Sequence, residues 1–122
     1  MLLHLDFTID TPIYQQIRNE IVRRIAVGAL PPGTLLPPIR TLAENLGINM
    51  MTVSKAYSLL KQEGYIQTDR RAGTRVSTHR QADMPTELRQ KLELAISEAK
   101  ATGIGLEEIL STCRTVYEGG TL

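Results

Sequence analysis

The chain has no tryptophan, one phenylalanine and four tyrosines in 122 residues. A protein that reads single-stranded nucleic acid on stacking platforms carries more aromatic surface than that. Its one cysteine, Cys113, excludes an internal disulfide and fits a reducing compartment. A single thiol and two distant histidines, His4 and His79, do not make a zinc set. P-loop, G-x-S-x-G and dinucleotide fingerprints are missing, and Gly103-Ile104-Gly105 lacks the strand-then-helix context that would give it meaning. The sequence therefore offers no catalytic residue and no metal or cofactor site. No apolar run approaches the roughly 20 residues that span a bilayer. The opening Met1-Leu2-Leu3-His4-Leu5-Asp6 lacks the basic stretch and length of a signal peptide. The expectation is a cytoplasmic protein that is not an enzyme and has no membrane partner.

Net charge is also small, +1, but the charges are segregated. Up to Arg80 there are ten basic residues (Arg18, Arg23, Arg24, Arg40, Lys55, Lys61, Arg70, Arg71, Arg75, Arg80) against six acids. After Arg80, seven acids face four bases. A basic front suits a polyanion and an acidic back stays away from one, although charge alone is equally compatible with ordinary solvated surface.

What the chain does have is a run of motifs from Leu36 to Val76. Pro38 is placed to start a short helix with Leu42, Ala43 and Leu46 inward, stopped by Gly47. Asn49 is a good N-cap for the next helix, whose inward residues are Val53, Ala56, Tyr57 and Leu60, stopped by Gly64. Tyr65–Asp69 and Thr74–Thr78 read as hairpin strands around Arg70-Arg71-Ala72-Gly73, where Gly73 supplies a backbone shape that L-residues resist. Helix, tight turn, helix and hairpin in that order make a winged helix-turn-helix, the geometry for seating one helix in the DNA major groove. Upstream, Thr11 is expected to cap a long helix with Pro12 in its first position. Ile13, Ile17, Ile21 and Ile25, widened by Tyr14 and Val22, give that helix a core-facing stripe and leave Arg18, Arg23 and Arg24 off it. Pro31-Pro32-Gly33 is a turn, and Thr34–Leu36 a short strand suited to pair with the hairpin.

The polar segment from Gln81 to Pro85 breaks the pattern. It sets a boundary between residues 1–80, a DNA-binding domain, and residues 81–122. Beyond it, Leu88, Leu92, Ala95, Ile96 and Ala99 form one helical stripe, and Leu106, Ile109, Leu110, Cys113, Val116 and Tyr117 another, an αα-hairpin. Two helices alone cannot bury two such stripes, each apolar side chain of which is worth roughly 1.5–3 kcal/mol when covered. A second copy, giving four helices, is the economical cover; completing the front domain's own core is the alternative. Cys113 in its stripe reads as a small buried hydrophobe. The fold class is thus α+β, mainly helical.

Pro12-Ile13-Tyr14-Gln15-Gln16-Ile17, Gly28-Ala29-Leu30-Pro31-Pro32-Gly33, Leu36-Pro37 before Ile39-Arg40, and Glu63-Gly64-Tyr65-Ile66 before the wing together resemble the GntR family of bacterial transcription regulators, over roughly Phe7 to Val76. The short two-helix tail resembles the YtrA-type branch and leaves no room for the larger effector or aminotransferase-like domains of other branches. The resemblance implies a homodimer joined through its tails that represses its own operon, often one encoding an ABC transporter. It departs in having Pro38 where the family usually has Ser, Met50 and Ser54 where many members have Arg, and Arg75 where the wing usually has an aromatic residue. These changes bear on which DNA sequence is read.

On that reading the residues facing a double-stranded, palindromic operator are Arg40, Asn49, Met50, Met51, Thr52, Ser54, Lys55 and, on the wing, Arg70, Arg71, Gly73, Thr74 and Arg75. Asn49 is a cap and Thr52 a phosphate contact. Lys55 is a point donor for guanine, and Arg40 a phosphate or groove-edge contact whose alternative is a surface salt bridge. Met50 and Met51 either touch thymine methyls or fill the core, Met51 the more suited to the core. The wing arginines meet the backbone or enter a minor groove, unless they are simply solvated. A small-molecule effector, if one exists, would act at the seam between wing domain and tail. Two other functions fit less of the chain: a winged-helix module that binds protein, and a fragment of a pyridoxal-phosphate-binding GntR regulator.

Overall fold

The structure, a computed structural model, describes residues 3–78 and 83–120. The chain divides into two compact units, Met1–His79 and Arg80–Leu122. The boundary expected between residues 80 and 81 falls, with His79, Arg80 and Gln81, outside the described residues.

In the first unit, α1 (Ile13–Ala26) packs on α3 (Met50–Gln62), which also carries α2 (Ile39–Leu46). The isoleucine stripe does what its spacing requires: Ile17 and Ile21 are fully buried, with Ile13, Tyr14, Val22 and Ile25 packed at the margin. Val53, Ala56, Tyr57 and Leu60 meet them from α3, and Leu42 and Ala43 from α2. Val76, Ile66, Leu36 and Leu3 close the core. The start of α1 differs from expectation. Pro12 is the cap residue itself, not the first helical residue, and no side chain caps the helix. Gln16 explains the difference. Its Nε2 donates to the carbonyls of Asp6 and Thr11 at 2.8 and 2.9 Å, and its Oε1 accepts from Asp6 N at 2.8 Å. This buried amide pins the N-terminal segment to α1 and satisfies its backbone. Arg18, expected off the buried face, is instead half-buried in an ion pair described below.

Gly47 ends α2 at φ 67°, ψ 35°, and Ile48 N then donates to Ala43 O at 3.1 Å, closing the turn. Asn49 caps α3 as its sequence position predicts, its side chain accepting from Met51 N at 2.7 Å. The hairpin is shorter than expected. β1 (Ile66–Asp69) pairs antiparallel with β2 (Gly73–Val76), from Ile66 opposite Val76 to Asp69 opposite Gly73, so Gly73 opens the second strand and Ser77 and Thr78 lie beyond it. The expected strand at Thr34–Leu36 is a single bridge, Leu35 to Arg75, flanked by Leu36 N to Thr74 O at 2.8 Å and Val76 N to Thr34 O at 2.9 Å.

In the second unit, α4 (Thr86–Ala101) and α5 (Leu106–Tyr117) pack on each other as a helical hairpin. Neither has a buried residue. Leu88, Leu92, Ile96, Leu106, Leu110, Val116 and Tyr117 are exposed, Ile109 half-buried. Cys113, expected to be buried, is exposed as well, because two helices touching along one line cannot enclose a stripe this wide. Leu92, Ile96, Ile109 and Cys113 help line an open apolar groove of about 320 Å³ between the helices. No helix among the described residues is long and apolar enough to cross a membrane, and no cluster of three metal-ligating side chains occurs among them.

Candidate nucleic-acid interface

Three contacts fix the attitude of α3. Tyr57, 1% exposed, donates its hydroxyl to Pro37 O at 2.7 Å, tying the middle of α3 to the segment that leads into α2. Burial pushes the Tyr57 phenol up to about 12. At the far end of the helix, Arg18 of α1 makes a two-pronged pair with Glu63, Nε to Oε1 at 3.0 Å and Nη2 to Oε2 at 2.9 Å, and lies 5.4 Å from the centre of the Tyr65 ring. The hydrogen-bonded Glu63 raises the Arg18 pKa further, outweighing desolvation. Near the start of the helix, Lys55 Nζ sits 4.1 Å from the centre of the Tyr14 ring, a cation–π contact from α3 to α1. Sequence spacing gave no sign of these three pairings, because each joins residues distant in the chain.

The face of α3 turned from the core carries Met51, Lys55 and Ser58 at spacings of four and three, all exposed. Thr52 and Ser54 are half-buried on its flanks. Met51 is 78% exposed and Met50 45%. Core packing is therefore overturned for both, and Met51, expected to be the better core candidate, is the more open. The buried stripe is already filled by Val53, Ala56, Tyr57 and Leu60, which leaves no room for residues in the first turn. Arg40 is exposed in the first turn of α2 and has no ion pair among the described residues, so the expected alternative of a surface salt bridge is not seen.

On the wing, Arg70 and Arg71 are exposed at the tip, and Asp69 braces the turn by accepting from Arg71 N at 2.9 Å. Gly73 has φ 82°, the left-handed shape its position demands. Thr74 is half-buried beside Thr68. Arg75 differs from the other arginines. It lies inside β2, across from Gln67 and beside Leu35, half-buried, and its Nε is buried without a hydrogen-bond partner among the described residues. The structure thus puts two charges at the tip and one near the base, not three together.

A short helix and a longer one joined by a left-handed glycine, with a basic-tipped hairpin behind them, define a winged helix-turn-helix DNA-binding protein. The family model of bacterial regulatory proteins of the gntR family matches residues 13–76, and the chain belongs to that family. It is a GntR-type DNA-binding transcriptional regulator, not an enzyme. Among curated relatives, it is 39% identical over 75 residues to an HTH-type transcriptional regulator of Mycobacterium tuberculosis, covering 62% of each chain. It is 34% identical over 112 residues to the transcriptional repressor YtrA of Bacillus subtilis, covering 88% of this chain and 86% of YtrA. The solved structure of YtrA from Sulfolobus acidocaldarius, a GntR-family transcription factor, superposes with a TM-score of 0.70 at 39% identity, over 83% of this chain and 99% of that one. The DNA-binding domain of AraR in complex with its operator ORR3 matches 62% of this chain and 95% of that one, with a TM-score of 0.53 at 26% identity.

Proposed function

We propose that the protein is a cytoplasmic homodimer that represses its own operon by binding a palindromic double-stranded operator. Each protomer lays α3 in a major groove, with Met50, Met51 and Ser54 toward the bases, Thr52 and Lys55 at the nearest phosphates, Asn49 capping the helix where it enters and Arg40 at the groove edge. The wing reaches the backbone or a minor groove with Arg70 and Arg71 at its tip, Gly73 and Thr74 shaping the turn and Arg75 near the base. Transporter genes are the expected cargo of such an operon, on the family resemblance. The observation that carries the dimer is the tail. A hairpin that buries none of its described residues, yet presents Leu88, Leu92, Ile96, Leu106, Leu110 and Val116, needs a cover. A second hairpin supplies one by symmetry and sets the spacing of two reading heads.

The test is fluorescence anisotropy of the purified chain on its own upstream DNA beside a scrambled duplex, at two salt concentrations, with sedimentation of the same sample. Binding roughly a thousandfold tighter to the upstream DNA, falling steeply with salt, together with a dimer that Leu92→Glu converts to monomer, is the expected result. Equal weak binding to both duplexes removes the repressor reading. A monomer at all concentrations removes the paired heads. A small-molecule effector would show as a raised melting temperature coupled to altered DNA affinity.

A further inference from the structure

The reading face of α3 is poor in the groups that recognise guanine and rich in one that does not. It carries no arginine. The cation beside Met51, Lys55, has its ammonium 4.1 Å from the Tyr14 ring centre, drawn toward α1, and Lys61 lies in the last turn of the helix. The Asn49 carboxamide is engaged too. Its oxygen accepts from Met51 N at 2.7 Å, so it is not free for the two-pronged pairing that reads an adenine edge. What remains outermost is a thioether: Met51, 78% exposed, with Met50 at 45% beside it. In the major groove, thymine offers the one apolar group that base edges present, the C5 methyl. Methionine, unbranched and polarisable, adapts to such a group without a fixed geometry.

We infer that this protein's helix reads thymine methyl groups, Met51 packing on the C5 methyl of one thymine in each half-site and Met50 on a neighbour. This rests on the proposed seating of α3 in the major groove. It goes further by assigning the chemical basis of specificity to two side chains. Lys55, held by Tyr14, serves the backbone rather than a base.

The experiment uses the full chain to select a site from a random duplex library. Each thymine of the selected site is then replaced in turn by deoxyuridine, which removes the methyl and keeps every hydrogen-bonding group. Anisotropy titration is expected to show a loss of about fourfold at one or two positions per half-site, the value of one buried methyl-sized group. Met51→Ala is expected to weaken the thymine duplex by a similar factor and to leave the matching uracil duplex unchanged. Met51 is exposed, so the variant folds as the parent does, and its circular dichroism and melting temperature verify this. Met50→Ala is run alongside. The inference is overturned if every uracil duplex binds like its thymine parent, or if the loss persists undiminished in both variants. A library that yields no site at all refutes operator binding itself, a different outcome from a selected site indifferent to its methyls.

Discussion

Tyr57→Phe separates two properties of one buried hydroxyl. The phenol bonds Pro37 O at 2.7 Å in a position that is 1% exposed. Removing it deletes one hydrogen bond and strips Pro37 O of that donor, at a cost of about 1–1.5 kcal/mol near pH 7. The same hydroxyl is a liability at high pH. Its pKa is raised from 10.0 to about 12 by burial, so the folded state holds the proton longer than the unfolded chain does. Stability from this group is complete below pH 10 and lost as pH rises toward 12. By pH 11 the parent forfeits about 1.4 kcal/mol relative to a chain without the phenol. The two terms cancel there, and the variant, less stable at pH 7, is expected to match the parent near pH 11 and exceed it above. Tyr14, Tyr65 and Tyr117 are common to both proteins and drop out of the difference. Urea unfolding followed by circular dichroism at pH 7 and pH 11 reads the gap directly. A gap that does not narrow with pH refutes the desolvation argument; a variant as stable as the parent at pH 7 refutes the hydrogen-bond one.

Arg70→Ala and Arg71→Ala should each weaken operator binding about equally on all sequences and reduce the slope of log affinity against log salt by about 1, measured by anisotropy across a salt series. Gly47→Ala forces an L-residue to φ 67° where its Cβ meets nothing within 4 Å, so the loss of about 1–2 kcal/mol in urea unfolding is backbone strain alone; Gly47→Asn should recover part of it. Glu63→Gln leaves the Arg18 guanidinium half-buried without its anion and should cost about 1–2 kcal/mol. That is below the full value of a charged hydrogen bond because both side chains keep some solvent; a double-mutant cycle with Arg18→Met isolates the coupling.

The helices were legible because each signal was local and period-bound. Four isoleucines four apart could only line one face of α1, and Val53, Ala56, Tyr57 and Leu60 only one face of α3. Asn49 could be read as a cap because capping acts within three residues. The errors occur where a residue's fate depends on something far along the chain. Thr11 failed to cap α1 because Gln16 had already fastened the segment before it. Periodicity sets Arg18 off the buried face of α1 and says nothing of Glu63, forty-five positions on, which half-buries it. For Met51 the sequence leaves two fates open, groove or core, because methionine fills gaps; the choice depends on the first turn of α3 standing clear of a core already full. The sequence puts Arg75 on the wing with Arg70 and Arg71, but only the pairing with a segment forty residues upstream sets it beside Leu35.

The bridge at Leu35 has a consequence for how the reading surface is presented. Backbone bonds from Gly33, Leu36 and Val76 join residues 33–36 to 74–76. Everything between them, α2, the turn, α3 and the tip of the wing, is therefore a single closed loop clipped at its neck. A helix inside such a loop cannot fray from a chain end, and reopening the neck releases a loop of roughly 40 residues whose closure entropy was already spent in folding. The amide protons of Leu36 and Val76 should exchange with solvent only when the whole unit opens, far more slowly than those of the tail hairpin. The operator thus meets a surface ordered in advance, and binding need not supply the free energy of assembling it.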